Sequence, residues 1–488
     1  MKSTREPGAI APYLSDESRM KGGAADEVLW PETAAEAAEV LRCCSASGRP
    51  VTVSGAGTGI AGGRVPLGGV VLATDRFNRI LDVRRDPEGG GAVTVQAGVT
   101  LAALQQALLP ERLWYPPDPT ETGAWIGGTL ATNASGARTF RFGPTRRWVE
   151  RIVVALPTGE LLDLARGRVV ARDGSLEIAL GTSTLRVPAP DWTPPATSKH
   201  AAGYFSAPGM DLVDLFVGCE GTLGVILEAD LRLVPAPDEV LSGILFFSEE
   251  PAALAFVAAA REGEAGVRPL ALEFADARAL ALVRESAFDV PRGACAAIFF
   301  EDAVRSAEAA ARLDAWLELA ERRAASPESW FAQGPSDHQR FREFRHRIPT
   351  AINELIARRG VTKVSTDTAV PRGRVGEMLA AFRREIDGAG FESAAHGHVG
   401  DDHLHVNVLP PDPGRYAAAR DVYGKLVRIA VEMGGTTSAE HGLGKLKAGD
   451  LRLLYPPPVL ARMRAIKDAL DPANVLGRGT LFPQDRGA

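Results

Sequence analysis

Cysteine is scarce in this chain. There are four in 488 residues, at Cys43, Cys44, Cys219 and Cys295, and no two are spaced as a metal knuckle. Adjacent cysteines rarely bridge, so the pattern speaks for a reduced, intracellular chain with no iron–sulfur ligation of its own. A basic excess is missing too. The 55 Lys and Arg stand against 61 Asp and Glu, a formal charge of −6, which argues against nucleic acid as a partner. No run is apolar enough to span a membrane: the longest charge-free one, GAVTVQAGVTLAALQQALLP, carries three Gln and two Thr and ends in Pro110. The opening MKSTREPGAIAPYLSDESRM lacks the apolar centre of a signal peptide. A cytoplasmic protein is expected, one able to rest against a membrane surface. Gly 51 and Pro 34 imply many turns, yet no repeat or low-complexity tract occurs. With 45 % apolar and 24 % charged residues, what remains is an ordinary globular chain with room for two or three domains.

The run VTVS reads as a buried strand leading into SGAGTGIAGGRVPLGGVVLATD, Ser54 to Asp75. Its Gly57-x-Gly59-x-x-Gly62 has the spacing of a nicotinamide-dinucleotide turn. Such a turn needs a helix that starts within it, because the first amides of that helix hold the pyrophosphate. Pro66 and Gly68-Gly69 leave no room for that helix, so Asp75, placed like a ribose-binding acid, counts for little. Strand–glycine loop–strand remains, either an anion-binding nest of backbone amides or a turn with no ligand.

Upstream, Thr33 followed by Glu36 marks the start of an Ala-rich helix, and short β-branched runs alternate with turns from Val70 to about Leu164. A Pro-rich joint, LVPAPD, closes this region near Asp238. Beyond it strands such as ILFF, ALEFAD and ACAAIFFE alternate with long helices, one of them expected over AVRSAEAAARLDAWLELAERR from Ala303. That pattern fits an antiparallel sheet covered by helices on one face.

Two further small-residue segments follow the first. WYPPDPTETGAWIGGTLATNASGARTFRFGPTR places Asp118, Thr120, Thr132 and Asn133 among Gly127-Gly128 and Gly136, and VGCEGTLGVILEADLRLVP runs from Val217. Three glycine-rich turns in one region suggest one large phosphate-bearing ligand. Together they resemble the flavin domain of the vanillyl-alcohol-oxidase/para-cresol-methylhydroxylase superfamily. Within it the chain is similar to the FAD-linked D-lactate, glycolate and D-2-hydroxyglutarate dehydrogenases, from about Ala11 to the C-terminus.

The resemblance implies an α+β fold. A two-part FAD-binding domain of small mixed sheets with helices would span 1–235, and a cap domain with a helix-covered antiparallel sheet 236–445. Residues 446–488 would pack back toward the first domain. The pyrophosphate loop would be Ser54, Gly55, Ala56, Gly57, Thr58 and Gly59. Flavin-contacting turns would contribute Pro117, Asp118, Thr120, Gly127, Gly128, Thr132 and Asn133, then Glu220, Gly221 and Gly224. Ser135 stands where the branch has a second glycine, and its hydroxyl adds little bulk. Superfamily members that tether FAD covalently often use a histidine near the first loop; none precedes His200 here, so non-covalent FAD is expected.

Five of the eight histidines fall between His396 and His441. In HLHVNV, alternation on a strand would put His403, His405 and Asn407 on one face and Leu404, Val406 and Val408 on the other. Gly397 and Gly400 would let His398 fold back toward His405. GGTTSAEHGLGKLK then adds Glu440 and His441. Two imidazoles and a carboxylate make a three-ligand site with a position left open, unless the strand face is merely polar. By the resemblance, His398, His405 and Glu440 match the ligands of zinc or another divalent cation such as manganese. Asn407 and His441 match residues beside the reacting carbon. Asp402-His403 departs from the branch's Gly-Asn, so His403 would alter the surroundings of the metal or compete for it.

Oxidising a 2-hydroxy acid requires removal of the hydroxyl proton, for which His441 suits, and a fixed cation for the carboxylate. On the helical stripe of Phe341, Phe344, Ile348, Ile352 and Leu355, Arg345 is the arginine placed to face inward. It also matches the family's carboxylate-binding arginine, and Lys363 matches a second basic contact. Pro349 replaces a substrate-contacting Thr of some relatives, and the ending NVLGRGTLF departs from Asn-Pro-Gly-Lys. The expected partners are a 2-hydroxy acid and an electron acceptor, whether quinone, cytochrome, electron-transfer flavoprotein or iron–sulfur subunit, with a homodimer left open. Three rivals stand beside this reading. One is a redox-neutral FAD transferase like alkyl-glycerone-phosphate synthase, which needs a lipid tunnel. The others are a zinc hydrolase on the His/His/Glu site and an idle FAD-binding subunit.

Overall fold

The computed structural model describes residues 1–285 and 288–483; the end of the expected C-terminal segment, 484–488, lies outside the described residues. Near the N-terminus, strands Glu27–Trp30, Val70–Ala73 and Val51–Ser54 run parallel, with Lys2–Thr4 antiparallel at the edge. Val51, Val70, Val71 and Leu72 are fully buried, and the central run VVLA, flanked on both sides, is continuously apolar. Helix Ala34–Ser47 joins two of them, and the Thr33 hydroxyl accepts the Glu36 amide at 3.2 Å as its cap. No helix forms between Val51–Ser54 and Val70–Ala73. The glycine loop therefore crosses directly from strand to strand.

A second sheet is wholly antiparallel. Its order is Ile80–Arg85, Gly91–Gln96, Val225–Pro235, Val149–Ala155, Leu161–Ala165, with Leu113–Trp114 beside the central strand. The centre strand starts just after the third glycine turn and so carries that turn next to the first two. The end of the chain closes over this half. Leu451, Tyr455, Met463, Ile466 and Leu470 share a core with Ile152 and Phe216, and Leu476 bridges to Val51.

The third sheet runs Trp330–Phe331, Glu239–Phe247, Ala296–Val304, Ala271–Asp276, Glu392–Gly397, His403–Leu409, Val364–Ser365. Helices cover it on both faces, where one was expected. Ile298 and Phe300 pack with Phe256, Trp316, Phe382 and Leu426; their neighbours Ala297 and Phe299 pack with Leu280, Phe344 and Ile352. The strand's period of two exposes apolar side chains both ways, so one layer of helices could not have buried them. The helix expected from Ala303 begins only at Ala309, because Val304 still pairs with Glu239. Cross-strand pairing overrides the helical composition of those first residues. Among the described residues no helix is long and apolar enough to cross a membrane.

Candidate functional site

A cavity of about 420 Å³ opens where the three glycine-rich turns meet. Gly55, Ala56, Gly57, Thr58 and Gly59 line it from the first turn; Thr120, Gly127, Gly128 and Thr132 from the second; Glu220, Gly221 and Gly224 from the third. Glu440 and His441 complete its wall. Four expected contacts sit behind that surface. The Ser54 hydroxyl accepts Arg64 Nε at 2.7 Å, Asp118 accepts the Arg138 amide at 3.0 Å, and Asn133 accepts the Arg146 amide at 2.9 Å. Pro117 is buried beside them. These side chains brace the turns from behind that surface.

Arg64, which the sequence reading passed over, lies in the first turn. Its guanidinium stacks on Tyr13 at 5.3 Å and donates to the carbonyls of Ser15 and Pro12. Gly57 has φ 84°, and a Cβ there would stand 2.0 Å from Arg64 Nη1. The left-handed backbone favours glycine there, and any side chain would also displace the Arg64 guanidinium. Glu220 takes a second duty: its carboxylate accepts the amides of Leu443 and Gly444 at 2.9 and 2.7 Å, tying the third turn to the segment after His441. Burial pushes Glu220 up to about 7.

The imidazoles gather on the neighbouring sheet. Leu404, Val406 and Val408 enter one helical core, so His403, His405 and Asn407 project from the opposite face, the one crossed by helix Pro335–Arg358. Their rings approach closely, His403 to His405 at 4.6 Å, His398 to His403 at 5.3 Å and His398 to His405 at 5.9 Å. Ring nitrogens of all three and a carboxylate oxygen of Glu440 lie within 4.8 Å of one another, a set able to hold a metal ion. Asp402, at φ 52°, sustains the tight turn before His403 by accepting the Gly373 amide at 3.1 Å and pairing with Arg261 at 2.9 Å. Those contacts explain how an aspartate occupies a position that favours glycine.

Electrostatics around Glu440 are strongly negative. Four buried carboxylates, Glu273, Asp367, Asp401 and Glu440, share the space with one fully buried ammonium, Lys199. Lys199 donates to Glu440 and to the Gly136 carbonyl and lies 3.4 Å from Asp401. Ser135 adds its hydroxyl to Glu440 at 3.3 Å, so the branch departure at that position joins the two halves of the site. Burial opposes charge on His398, yet Glu273 and Glu440 outweigh it and raise His398 to about 9. An imidazolium thus stands where a bound cation would relieve the same charge.

Asp367 is a second organiser, also missed in the sequence. Fully buried, it accepts His403 Nε2 at 3.1 Å, the His441 amide at 3.0 Å and the Ser438 hydroxyl at 2.6 Å, and its Oδ2 lies 3.3 Å from His441 Nδ1. Burial works against its charge, but His441 and Lys447 hold it far below the usual carboxylate range. His441 stacks on His405 at 5.1 Å and 8°, and burial drops it to about 4 despite Asp367. His441 is therefore a neutral imidazole at neutral pH, with its Nδ1 lying 3.3 Å from Asp367 Oδ2.

Arg345 lies over the Phe299 ring at 5.7 Å, on the sheet face from which the imidazoles project. Burial would raise the carboxyls of Glu273 and Glu301, but His398 and Arg138, with Arg345 adding to each, hold them low; at Asp118 burial wins and raises it, with Arg138 and Arg345 opposing. Lys363 stays open to solvent in its crevice, where partial dehydration and the like charge of Lys447 bring it down to about 8. Asn407 is fully buried; its Nδ2 donates to the Ala394 carbonyl at 3.1 Å while Oδ1 has no partner.

Known proteins match both halves of the chain. A family described as "FAD binding domain" matches residues 25–165, and one described as "FAD linked oxidases, C-terminal domain" matches 236–481. A D-lactate dehydrogenase of Anaerostipes hadrus is 30 % identical over 96 % of this chain and 92 % of its own. A D-2-hydroxyglutarate dehydrogenase of Xanthomonas citri pv. viticola is 31 % identical over 98 % and 93 %, and the glycolate oxidase subunit GlcD of Bacillus subtilis 29 % over 94 % and 89 %. Among solved structures, an alkyldihydroxyacetonephosphate synthase superposes with TM-score 0.68 at 15 % identity, covering 97 % of this chain and 81 % of that one, a likeness of fold. With its two halves matched by consecutive domains of one enzyme type, the chain belongs to the FAD-linked oxidases of the vanillyl-alcohol-oxidase/para-cresol-methylhydroxylase superfamily.

Proposed function

We propose that the protein oxidises a D-2-hydroxy acid to the 2-oxo acid on non-covalently held FAD. A divalent cation of the zinc or manganese kind would sit at His398, His405 and Glu440, with His441 as the base. One observation carries the reading: the wall of the glycine-turn cavity is completed by Glu440 and His441, which themselves belong to the imidazole cluster. Glu440 and His441 would border a flavin held on those turns.

When bound, FAD accepts the hydride, and the cation lowers the pKa of the substrate hydroxyl. The chain does the rest. Arg345 and Lys363 give the substrate carboxylate fixed positive charge, the fork of Arg345 also fixing its orientation. His441 Nε2 takes the hydroxyl proton, held to that task by Asp367 at Nδ1. Arg64 places a guanidinium at the diphosphate turn. His200 is engaged by Thr436 at 2.8 Å and Tyr455 at 3.1 Å and does not line the cavity, in keeping with a flavin that is not tethered through it.

Two of the rivals fare worse. A zinc hydrolase leaves the flavin-domain match unexplained, and the synthase likeness extends to fold alone. The deciding experiment offers chiral 2-hydroxy acids anaerobically to the yellow protein, with metal analysis on the same sample. Bleaching by D- and not L-acids is expected. Colourless protein that takes up no FAD, or yellow protein that no 2-hydroxy acid bleaches, would end the proposal.

Arg345→Ala tests the carboxylate clamp. Loss of a charge-assisted hydrogen bond of about 1.5–3 kcal/mol should raise KM for the acid roughly 10- to 100-fold with FAD content unchanged. An unaltered KM would remove Arg345 from the role.

A further inference from the structure

We propose that His403 supplies a fourth protein ligand, through Nδ1, to the divalent cation assigned above to His398, His405 and Glu440; the inference rests on that assignment. The three imidazoles are arranged alike. Each turns one nitrogen toward Glu440: His398 Nε2 at 3.1 Å, His405 Nε2 at 3.8 Å and His403 Nδ1 at 3.9 Å. Each gives its other nitrogen to an acceptor outside the cluster. His398 Nδ1 meets Glu273 at 2.6 Å, His403 Nε2 meets Asp367 at 3.1 Å, and His405 Nδ1 faces the Thr366 carbonyl at 3.4 Å. This is how metal-bound histidines are held, with the outer N–H donated and the inner lone pair presented to the ion.

His403 adds a distinguishing feature. The residue is fully buried, and its Nδ1 has no hydrogen-bond partner. Glu440 stands too far for a hydrogen bond and is already engaged by Lys199, Ser135 and His398. A buried ring nitrogen facing three other donors, with all four donor atoms within 4.8 Å, is satisfied by an ion in their midst. The consequence is chemical. Four protein ligands fill a tetrahedral ion, so a substrate hydroxyl joins only if the cation widens its coordination to five or six.

The test uses the FAD-loaded full-length protein, stripped with a chelator and reloaded with one equivalent of zinc. X-ray absorption at the zinc edge should count three imidazoles in the parent and two in His403→Asn. Competition with a chromophoric chelator should show zinc affinity about a hundredfold weaker in the variant. The imidazole count on the parent needs no variant, so a poorly folding substitution cannot hide the answer. Two imidazoles in the parent, or unchanged zinc affinity in His403→Asn, overturns the fourth ligand while leaving the three-ligand site standing. A parent that takes up no zinc overturns the metal assignment and His403 with it.

Discussion

His441→Ala should leave the protein yellow and slow reduction of its flavin by a 2-hydroxy acid about 10²- to 10⁴-fold, the usual contribution of a positioned base. The imidazole is suited to receive a proton for reasons of place. Burial keeps it neutral to about 4, and the Asp367 carboxylate 3.3 Å from Nδ1 favours the tautomer whose lone pair is on Nε2. The side chain makes no hydrogen bond to the glycine turns, although it helps wall the cavity they form. Truncation should therefore cost rate and spare cofactor retention. Rapid mixing with the best acid, alongside flavin content and thermal melting, separates these outcomes. Unslowed reduction would dismiss His441 as the base, and loss of flavin would mean that the residue serves the cofactor pocket instead.

Local rules made much of this arrangement readable. Pro66 and Gly68-Gly69 left the first glycine turn no space for a helix, and none forms. Period-two alternation in HLHVNV put two imidazoles and an amide on one face, where the folded strand has them. Residues that organise the site from afar were not legible in the same way. Lys199 meets Glu440 across 241 positions and Glu273 meets His398 across 125, separations that no spacing rule spans. Asp367 lies between the two-residue strands Val364–Ser365 and Thr368–Ala369, too short to display any period.

A usable signal did exist for two of the missed groups. Glu273 and Glu301 are buried carboxylates in mid-strand, within the largely apolar ALEFAD and AAIFFEDAV. A charge placed where desolvation is costly must have a partner, and here the partners are His398 and Arg138, the latter 2.8 Å from Glu301. The two-faced helical cover of the sheet was written in the same strands, since consecutive apolar residues cannot all face one side.

Asp367→Asn should be nearly as damaging as loss of the base itself, with a rate of flavin reduction lowered roughly 10³- to 10⁴-fold, as when an orienting carboxylate is replaced in other His–Asp pairs. One carboxylate lies against two imidazoles, hydrogen-bonded to His403 Nε2 at Oδ1 and 3.3 Å from His441 Nδ1 at Oδ2. An amide of equal size offers one acceptor and one donor. It can accept from only one ring and must donate to the other, which drives that ring's proton to its far nitrogen. If His441 is the ring reversed, its Nε2 carries a proton and can no longer take one from the substrate. Should His403 be reversed instead, its Nδ1 is protonated and turned as a donor toward Glu440, which would expel a cation from the cluster. Metal content measured beside the reduction rate distinguishes the two routes: full metal with a slow rate points to His441, and metal loss points to His403. A variant that keeps both its metal and its parent rate would show that Asp367 orients neither.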